Sequence, residues 1–305
     1  MRIMVVRFVA ALGRYWTFAG PLDAGYRLGT IALARGAQGL DDAVRGKALL
    51  AMSHVAYKRG FYDEALRCAD QGGELAASAD DAERTAVALS LRANAWHALG
   101  RADEALSAYK QATELLRSRG VPDIRLVVSL NNIAEIHRGV GRHAQAQALY
   151  DEAIALAQRL GLPSSVIGQL QCNLAQVQVT TGQLQAARET LRVLWPLVLR
   201  DGLPKMGPRL AEAAAGLASA LGDHAQAARL FGVALAARRE DGERADPVDE
   251  AFISPLMAAS RAALGVARFE AEQAAGEAMT SGLPTEPWDT LAASFPRNGL
   301  PTPTP

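Results

Sequence analysis

Seven glycines recur along this chain at a nearly constant interval, and that interval constrains the fold more than any other feature. They are Gly20, Gly60, Gly100, Gly141, Gly182, Gly222 and Gly265, spaced by 40, 40, 41, 41, 40 and 43 residues. The segments that follow align as "GFYDEALRCAD", "GRADEALSAYKQA", "GRHAQAQALYDEA", "GQLQAARETLRVL" and "GDHAQAARLFGVA". An alanine stands five residues after the glycine at Ala65, Ala105, Ala146, Ala187 and Ala227, and a bulky residue four places later at Tyr109, Tyr150, Leu191 and Phe231. Glycine tolerates the left-handed backbone that a tight turn between helices demands. The small alanine lets two helices approach closely, and the bulky residue one turn on fills a neighbouring groove. Breakers such as "RGVPD", "GLPSS", "DGLPK" and "RADPVD" separate one helical pair from the next. One such hairpin cannot bury its own apolar face, so the copies must stack.

With these residue classes in place, the chain resembles the tetratricopeptide (TPR) repeat family, with a period near 40 rather than the usual 34. "RANAWHALGRADEALSAYKQA" is the nearest copy, placing Ala93, Trp96, Gly100, Ala105, Tyr109 and Ala112 on the family's packing positions. The resemblance implies an all-α, right-handed αα-superhelix of about seven helical hairpins over residues 1–281. The copies are expected near 3–38, 41–79, 81–120, 123–161, 164–202, 206–241 and 247–280, with a proline-rich tail over 282–305. The longer period implies extended helices or longer turns. Gly25 and Gly29 in the first copy, and Gly72 and Gly73 in the second, each cost about 1 kcal/mol of helix propensity relative to alanine. Those copies are expected either to pack more closely or to be less ordered.

A second resemblance concerns context. "AARLFGVALAARREDGERADPVDEAF" followed by "ALGVARFEAEQAAGEAM" is similar to the closing segment of the TPR region in bacterial STAND-class predicted ATPases and transcriptional regulators. The matching positions are Leu230, Gly232, Ala234, Leu264, Gly265, Phe269, Ala274 and Gly276, whereas Gln273 departs from the tryptophan frequent there. The opening "RFVAALGRYWTFAGPLDAGYRLGTIALA" likewise resembles the first repeat after the ATPase module. The resemblance implies the sensor portion of such a regulator. No G-x-x-x-x-G-K-[ST] phosphate loop and no separable helix-turn-helix occur in the sequence, so neither ATP binding nor DNA binding is expected of this chain.

Charge narrows the partners little. Lys and Arg total 32 against 32 acidic residues, which gives no net basicity to drive nucleic-acid binding. The zero conceals a gradient: residues 1–60 carry nine basic and three acidic side chains, and residues 241–305 carry four and ten. Either these charges solvate helix faces, or one end docks a charged partner or another copy. Cys68 and Cys172 stand alone on helical patterns, which fits a reducing cytoplasm. Arg7 interrupts the only signal-like run, and no stretch has the apolar length of a membrane span, so no membrane association is expected.

Chemistry is sparse. The histidines His54, His97, His137, His143 and His224 form no H-E-x-x-H or other compact ligand pair, and there is no G-x-S-x-G elbow. "GVGR" at 139–142 lies at a repeat turn. Acid pairs such as Asp63-Glu64 and Asp103-Glu104 stand at helix starts, where negative charge complements the helix dipole. No metal, cofactor or catalytic residue is expected.

Binding suits this architecture better, because the first helices of stacked hairpins line an inner face. Positions 13, 10, 6 and 3 residues before each glycine share one helical face. The polar residues on that strip are the candidate contacts: Lys47, His54, Tyr57, Asn94, His97, Asn131, Glu135, Arg138, Gln169, Gln176, Arg209 and Glu212. The bland alternative is a solvated face with no dedicated ligand. No local run of lysine or arginine forms a clamp for a carboxylate. Asn132, one step of about 100° round from Asn131, is expected with Asn173 to bond between hairpins rather than to a ligand. In the tail, Trp288 is expected to cover the last hairpin, with a docking peptide as the alternative.

The expected function is therefore non-catalytic: a protein- or ligand-sensing region of a signal-transduction regulator, taking a protein or peptide, or a small-molecule effector, on the inner strip, with self-association open. A free-standing adaptor is the alternative, and an enzyme with a scattered inner-face site the remote one.

Overall fold

The computed structural model describes residues 2–18, 21–36, 41–118, 120, 124–201, 207–241 and 247–280. Among these, the chain is fourteen α-helices without a strand. They run α1 (Arg2–Phe18), α2 (Leu22–Gly36), α3 (Asp42–Lys58), α4 (Tyr62–Ser78), α5 (Ala82–Ala98), α6 (Ala102–Ser118) and α7 (Ile124–Gly139). They continue with α8 (His143–Arg159), α9 (Ser164–Thr180), α10 (Leu184–Asp201), α11 (Gly207–Ala220), α12 (His224–Asp241), α13 (Pro247–Leu264) and α14 (Val266–Thr280). The fold class is the all-α TPR-like solenoid that the sequence predicts. Gly20, the tail and Trp288 lie outside the described residues.

The period of 40 has a simple origin. Helices α3 to α6 are each 17 residues long and begin at residues 42, 62, 82 and 102, leaving three-residue turns between them. Extended helices, not longer turns, therefore make the repeat exceed 34. The turn glycines Gly60, Gly100, Gly141, Gly182, Gly222 and Gly265 all take positive φ, between 74° and 85°. In five of these turns the next residue returns its N–H to a carbonyl five places back, as in Phe61 to Ala56 at 2.9 Å and Asp223 to Ala218 at 2.9 Å. This satisfies a helix-end carbonyl that would otherwise be orphaned. Aspartates start several helices: the Asp41 and Asp81 side chains accept from Ala43 and Arg84 amides at 3.0 and 2.9 Å.

Two compact units share the chain, residues 1–136 and 137–305. In the first, Val6, Val9, Trp16, Ala48, Leu49, Met52 and Val55 form a buried cluster. The glycines of its early repeats permit close packing, the first of the two expectations. A side chain on Gly25 would strike the Trp16 ring, one on Gly29 would strike Met52, and one on Gly72 would lie 2.7 Å from Leu50. In the second unit, Leu191, Leu194, Leu210, Leu217, Leu230 and Phe231 gather with the alanines of α11. The alanines five places after each glycine, from Ala65 to Ala227, are fully buried, and Tyr109, Tyr150, Leu191 and Phe231 lie buried beside them.

The seventh helical pair packs differently from the rest. Helix α14 lies mainly along α12, where Gly232 and Gly276 bring the two backbones together so closely that a Cβ on either would meet main-chain atoms. Helix α13 turns instead onto α11 and α12. "RADPVD", expected to be a connection, overlaps a helix: Pro247 opens α13, so Val248 and Asp249 stand in its first turn. Proline at the first helical position and acids directly behind it favour a helix start.

Candidate functional site

In the first unit the strip is partly open and partly used by the fold. Lys47 is exposed, and His54, Tyr57, His97 and Glu135 are half-buried. Asn94 and Asn131, expected to face a ligand, are held within the fold. The Tyr109 hydroxyl donates to Asn94 Oδ1, and Asn132 Nδ2 donates to the Tyr109 hydroxyl at 2.8 Å and to Asn94 Oδ1 at 3.3 Å. Asn131 Nδ2 donates to Asn132 Oδ1 at 3.1 Å. The network ties α5, α6 and α7 round a buried phenol whose pKa burial pushes well up, with the Asn132 bond opposing. Asn132 bridges hairpins, as its position one step off the strip predicts, and it takes Asn94 and Asn131 with it.

In the second unit the strip closes round a carboxylate. Asp249, in the first turn of α13, is 1% exposed. Arg138 at the end of α7 donates from Nη2 to Asp249 Oδ1 at 2.8 Å and from Nη1 to Gln176 Oε1 on α9. Arg209 on α11 donates to Asp249 Oδ2 at 3.3 Å. Arg238 on α12 lies 3.7 Å from the same oxygen and grips Glu212 with two bonds, at 2.5 and 2.8 Å. Arg138, Gln176, Glu212 and Arg238 are all buried. Four strip residues predicted from the sequence thus meet at one point, but as a buried cluster rather than a solvated face; Gln169 remains exposed.

Helix α13 makes this closure by lying against the strip. Val248 meets Gly139, Phe252 and Leu256 cover Gly216, and the Ser219 hydroxyl donates to the Leu256 carbonyl at 3.0 Å. Further on, Ser260 bonds Ser219 at 3.0 Å and His224 Nδ1 at 3.2 Å. Arg138, Gln176, Arg209, Glu212, Gly216 and Ser219 all occupy the register counted back from the turn glycines. Of these, Arg138, Arg209, Gly216 and Ser219 meet α13 directly, a helix of the same chain.

The electrostatics follow from three guanidiniums facing two carboxylates. Burial alone would raise the Asp249 pKa, but Arg138, Arg209 and Arg238 together outweigh it and hold the group below the usual aspartate value. Glu212 goes the other way: burial raises it, and the Arg238 bonds only partly offset this. Asp249 is the anchored charge and Glu212 the strained one.

Asp249 and Arg238 escaped the sequence reading. Asp249 lies 111 residues from Arg138, and no local pattern pairs them. The absence of a local basic run was likewise a poor guide, since the three arginines come from three different helices.

The cysteines are held as thiols. Cys172, on the strip register, is fully buried, and burial pushes its thiol up to about 12; Cys68 is pushed up to about 11. Neither is a thiolate at neutral pH. Among the described residues, no cluster of three or more His, Cys, Asp or Glu side chains is placed to hold a metal ion, and no helix is long and apolar enough to cross a membrane. A depression between α5 and α6, lined by Arg92, Trp96 and Glu104, measures about 180 Å3. That is smaller than the several hundred Å3 usual for a small-molecule site.

Comparison with known proteins agrees with this architecture. The tetratricopeptide repeat family model matches residues 125–193. No curated protein matches the chain. Among solved structures, a STAND protein with a tetratricopeptide repeat sensor from Pyrococcus horikoshii is similar over 94% of this chain and 44% of its own, with TM-score 0.62 and 15% identity. A Rap protein complexed with Competence and Sporulation Factor is similar over 87% of this chain and 80% of its own, with TM-score 0.58 and 13% identity. A Podosopora anserina putative kinesin light chain with TPR-like repeats covers 62% of this chain and 92% of its own, at TM-score 0.50 and 20% identity. At such identities the likeness is one of fold: the chain carries tetratricopeptide repeats in a TPR-like solenoid.

Proposed function

We propose that this tetratricopeptide-repeat chain is a non-catalytic scaffold that binds a protein or peptide segment on the inner strip of its first helices. The observation that carries the reading is the seat of α13. Four strip positions of the second unit, Arg138, Arg209, Gly216 and Ser219, already meet this helix through ion pairs, hydrogen bonds and a glycine-lined contact. Such a face suits a protein segment better than a reaction, since both cysteine thiols are buried and the two buried carboxylates, Glu212 and Asp249, are paired with arginines. The setting we favour is the sensor region of a signal-transduction ATPase or transcriptional regulator. The similarity to less than half of a STAND protein that carries a TPR sensor supports that setting.

Affinity capture with the full chain tests it. A variant carrying Lys47→Ala, Tyr57→Ala and His97→Ala alters accessible strip positions of the first unit. It is expected to lose most of the protein retained by the unaltered chain while keeping its helical circular dichroism. Equal capture by both chains refutes binding on the inner strip.

A further inference from the structure

Asp249 is an internal ligand, and its surroundings define what the site recognises. The carboxylate leaves water completely, yet it is met by guanidiniums from α7, α11 and α12, two of them within hydrogen-bond distance. Three residues on, Phe252 lies over Gly216, where a side chain of any size would collide with its ring. The seat thus reads two features one helical turn apart, a carboxylate and an aromatic ring.

The helix that presents them is also divisible. Pro255 stands inside α13 and removes one of its backbone hydrogen bonds, which separates the turn carrying Asp249 and Phe252 from the turn carrying Ser260. Replacing a buried ion cluster by apolar residues is often neutral or stabilising, so stability alone does not account for three arginines round one aspartate. Recognition does account for them.

We infer that the strip of the second unit is a recognition site for an amphipathic helical segment bearing an acid followed three residues later by an aromatic, and that α13 occupies it in cis as an exchangeable plug. The inference rests on the inner strip being the binding face. A partner segment takes the places of Asp249 and Phe252, and α13 gives way at Pro255. Because the plug is tethered, it competes at high effective concentration, so the site responds only to a partner that is abundant or better fitted.

The probe is a fluorescently labelled peptide with this chain's own sequence from Pro247 to Leu264, titrated with full chain by anisotropy. Asp249→Asn weakens the plug and is expected to bind the peptide about tenfold or more tightly than the unaltered chain. A peptide with asparagine in place of its aspartate is expected to lose that gain. A second variant removes any dependence on folding of the first. A Cβ on Gly139 would lie 3.3 Å from a Val248 methyl, which puts Gly139→Cys with Val248→Cys within disulfide reach, and the two natural cysteines are buried. The oxidised form is expected to exclude the peptide and the reduced form to admit it. Equal affinity for the unaltered chain and Asp249→Asn, equal affinity for oxidised and reduced forms, or indifference to the peptide's aspartate overturns the inference. If that happens while capture still depends on Lys47, Tyr57 and His97, exchange at the second unit is wrong and the scaffold reading stands.

Discussion

At the scale of the residue, Asp249 and Glu212 are two buried carboxylates with opposite pKa shifts, and their substitutions should part accordingly. Asp249→Asn removes the charge that three arginines share and leaves two of those cations, Arg138 and Arg238, buried against a neutral amide. A loss of about 3–5 kcal/mol is expected, the range for breaking a buried pair from one side. Glu212→Gln removes a charge that burial disfavours and leaves Arg238 beside Asp249, so a smaller loss than that of Asp249→Asn is expected, about 1–3 kcal/mol. The pH dependence follows with its sign. Asp249 is depressed below 3.8, so its stabilisation is present above that pH and is lost as pH falls through the lower folded value. Glu212 is raised above 4.5, so its ionisation costs stability as pH rises from 4.5 through the folded value. On acidification from neutral pH, stability should first rise slightly and then fall. Urea midpoints between pH 3 and 7 should show the rise vanish in Glu212→Gln and the fall shrink in Asp249→Asn. The same response in both variants would refute the division of roles.

At the scale of the element, glycines in helices mark where two backbones or side chains need room, and these positions differ sharply. A Cβ on Gly276 would fall among the main-chain atoms of Arg229, which cannot move aside. Gly276→Ala should therefore cost about 1–3 kcal/mol or more and loosen α14 from α12. A Cβ on Gly46 would meet Leu75 at 3.4 Å, an ordinary contact. Gly46→Ala should gain up to about 1 kcal/mol from helix propensity. Thermal melts of the two variants compare these outcomes directly, and similar shifts would contradict the crossing geometry. The elements themselves were legible because turn glycines and buried alanines repeat with the hairpin, so each copy confirms the others. The helix length was not: a period of 40 is compatible with long helices or long turns, and only the backbone decides. The packing of α13 was also illegible, because "DPVDE" reads as a breaker until Pro247 is recognised as the first residue of a helix.

At the scale of the whole molecule, a solenoid is tied together by neighbours, and its stability is close to a sum of repeat and interface terms. That is why local periodicity revealed the fold, and why it failed at the buried cluster: the Arg138 to Asp249 bond joins residues 111 apart and obeys no repeat. The same bond should change how the second unit opens. With only neighbour contacts, terminal helices would fray first and α9 would outlast them. A tie from α13 to the end of α7 makes opening α13 and uncovering Gln176 on α9 one event. In the unaltered chain, amides of the last turn of α7, of α9 and of α13 should exchange hydrogen with similar protection. In Asp249→Asn, the first half of α13 should exchange faster by about tenfold or more while α3, α4 and α5 keep their protection. Mass-spectrometric hydrogen exchange on the full chain reads this peptide by peptide. Faster exchange spread evenly over both units, or none in α13, would show that the buried carboxylate does not hold the second unit closed.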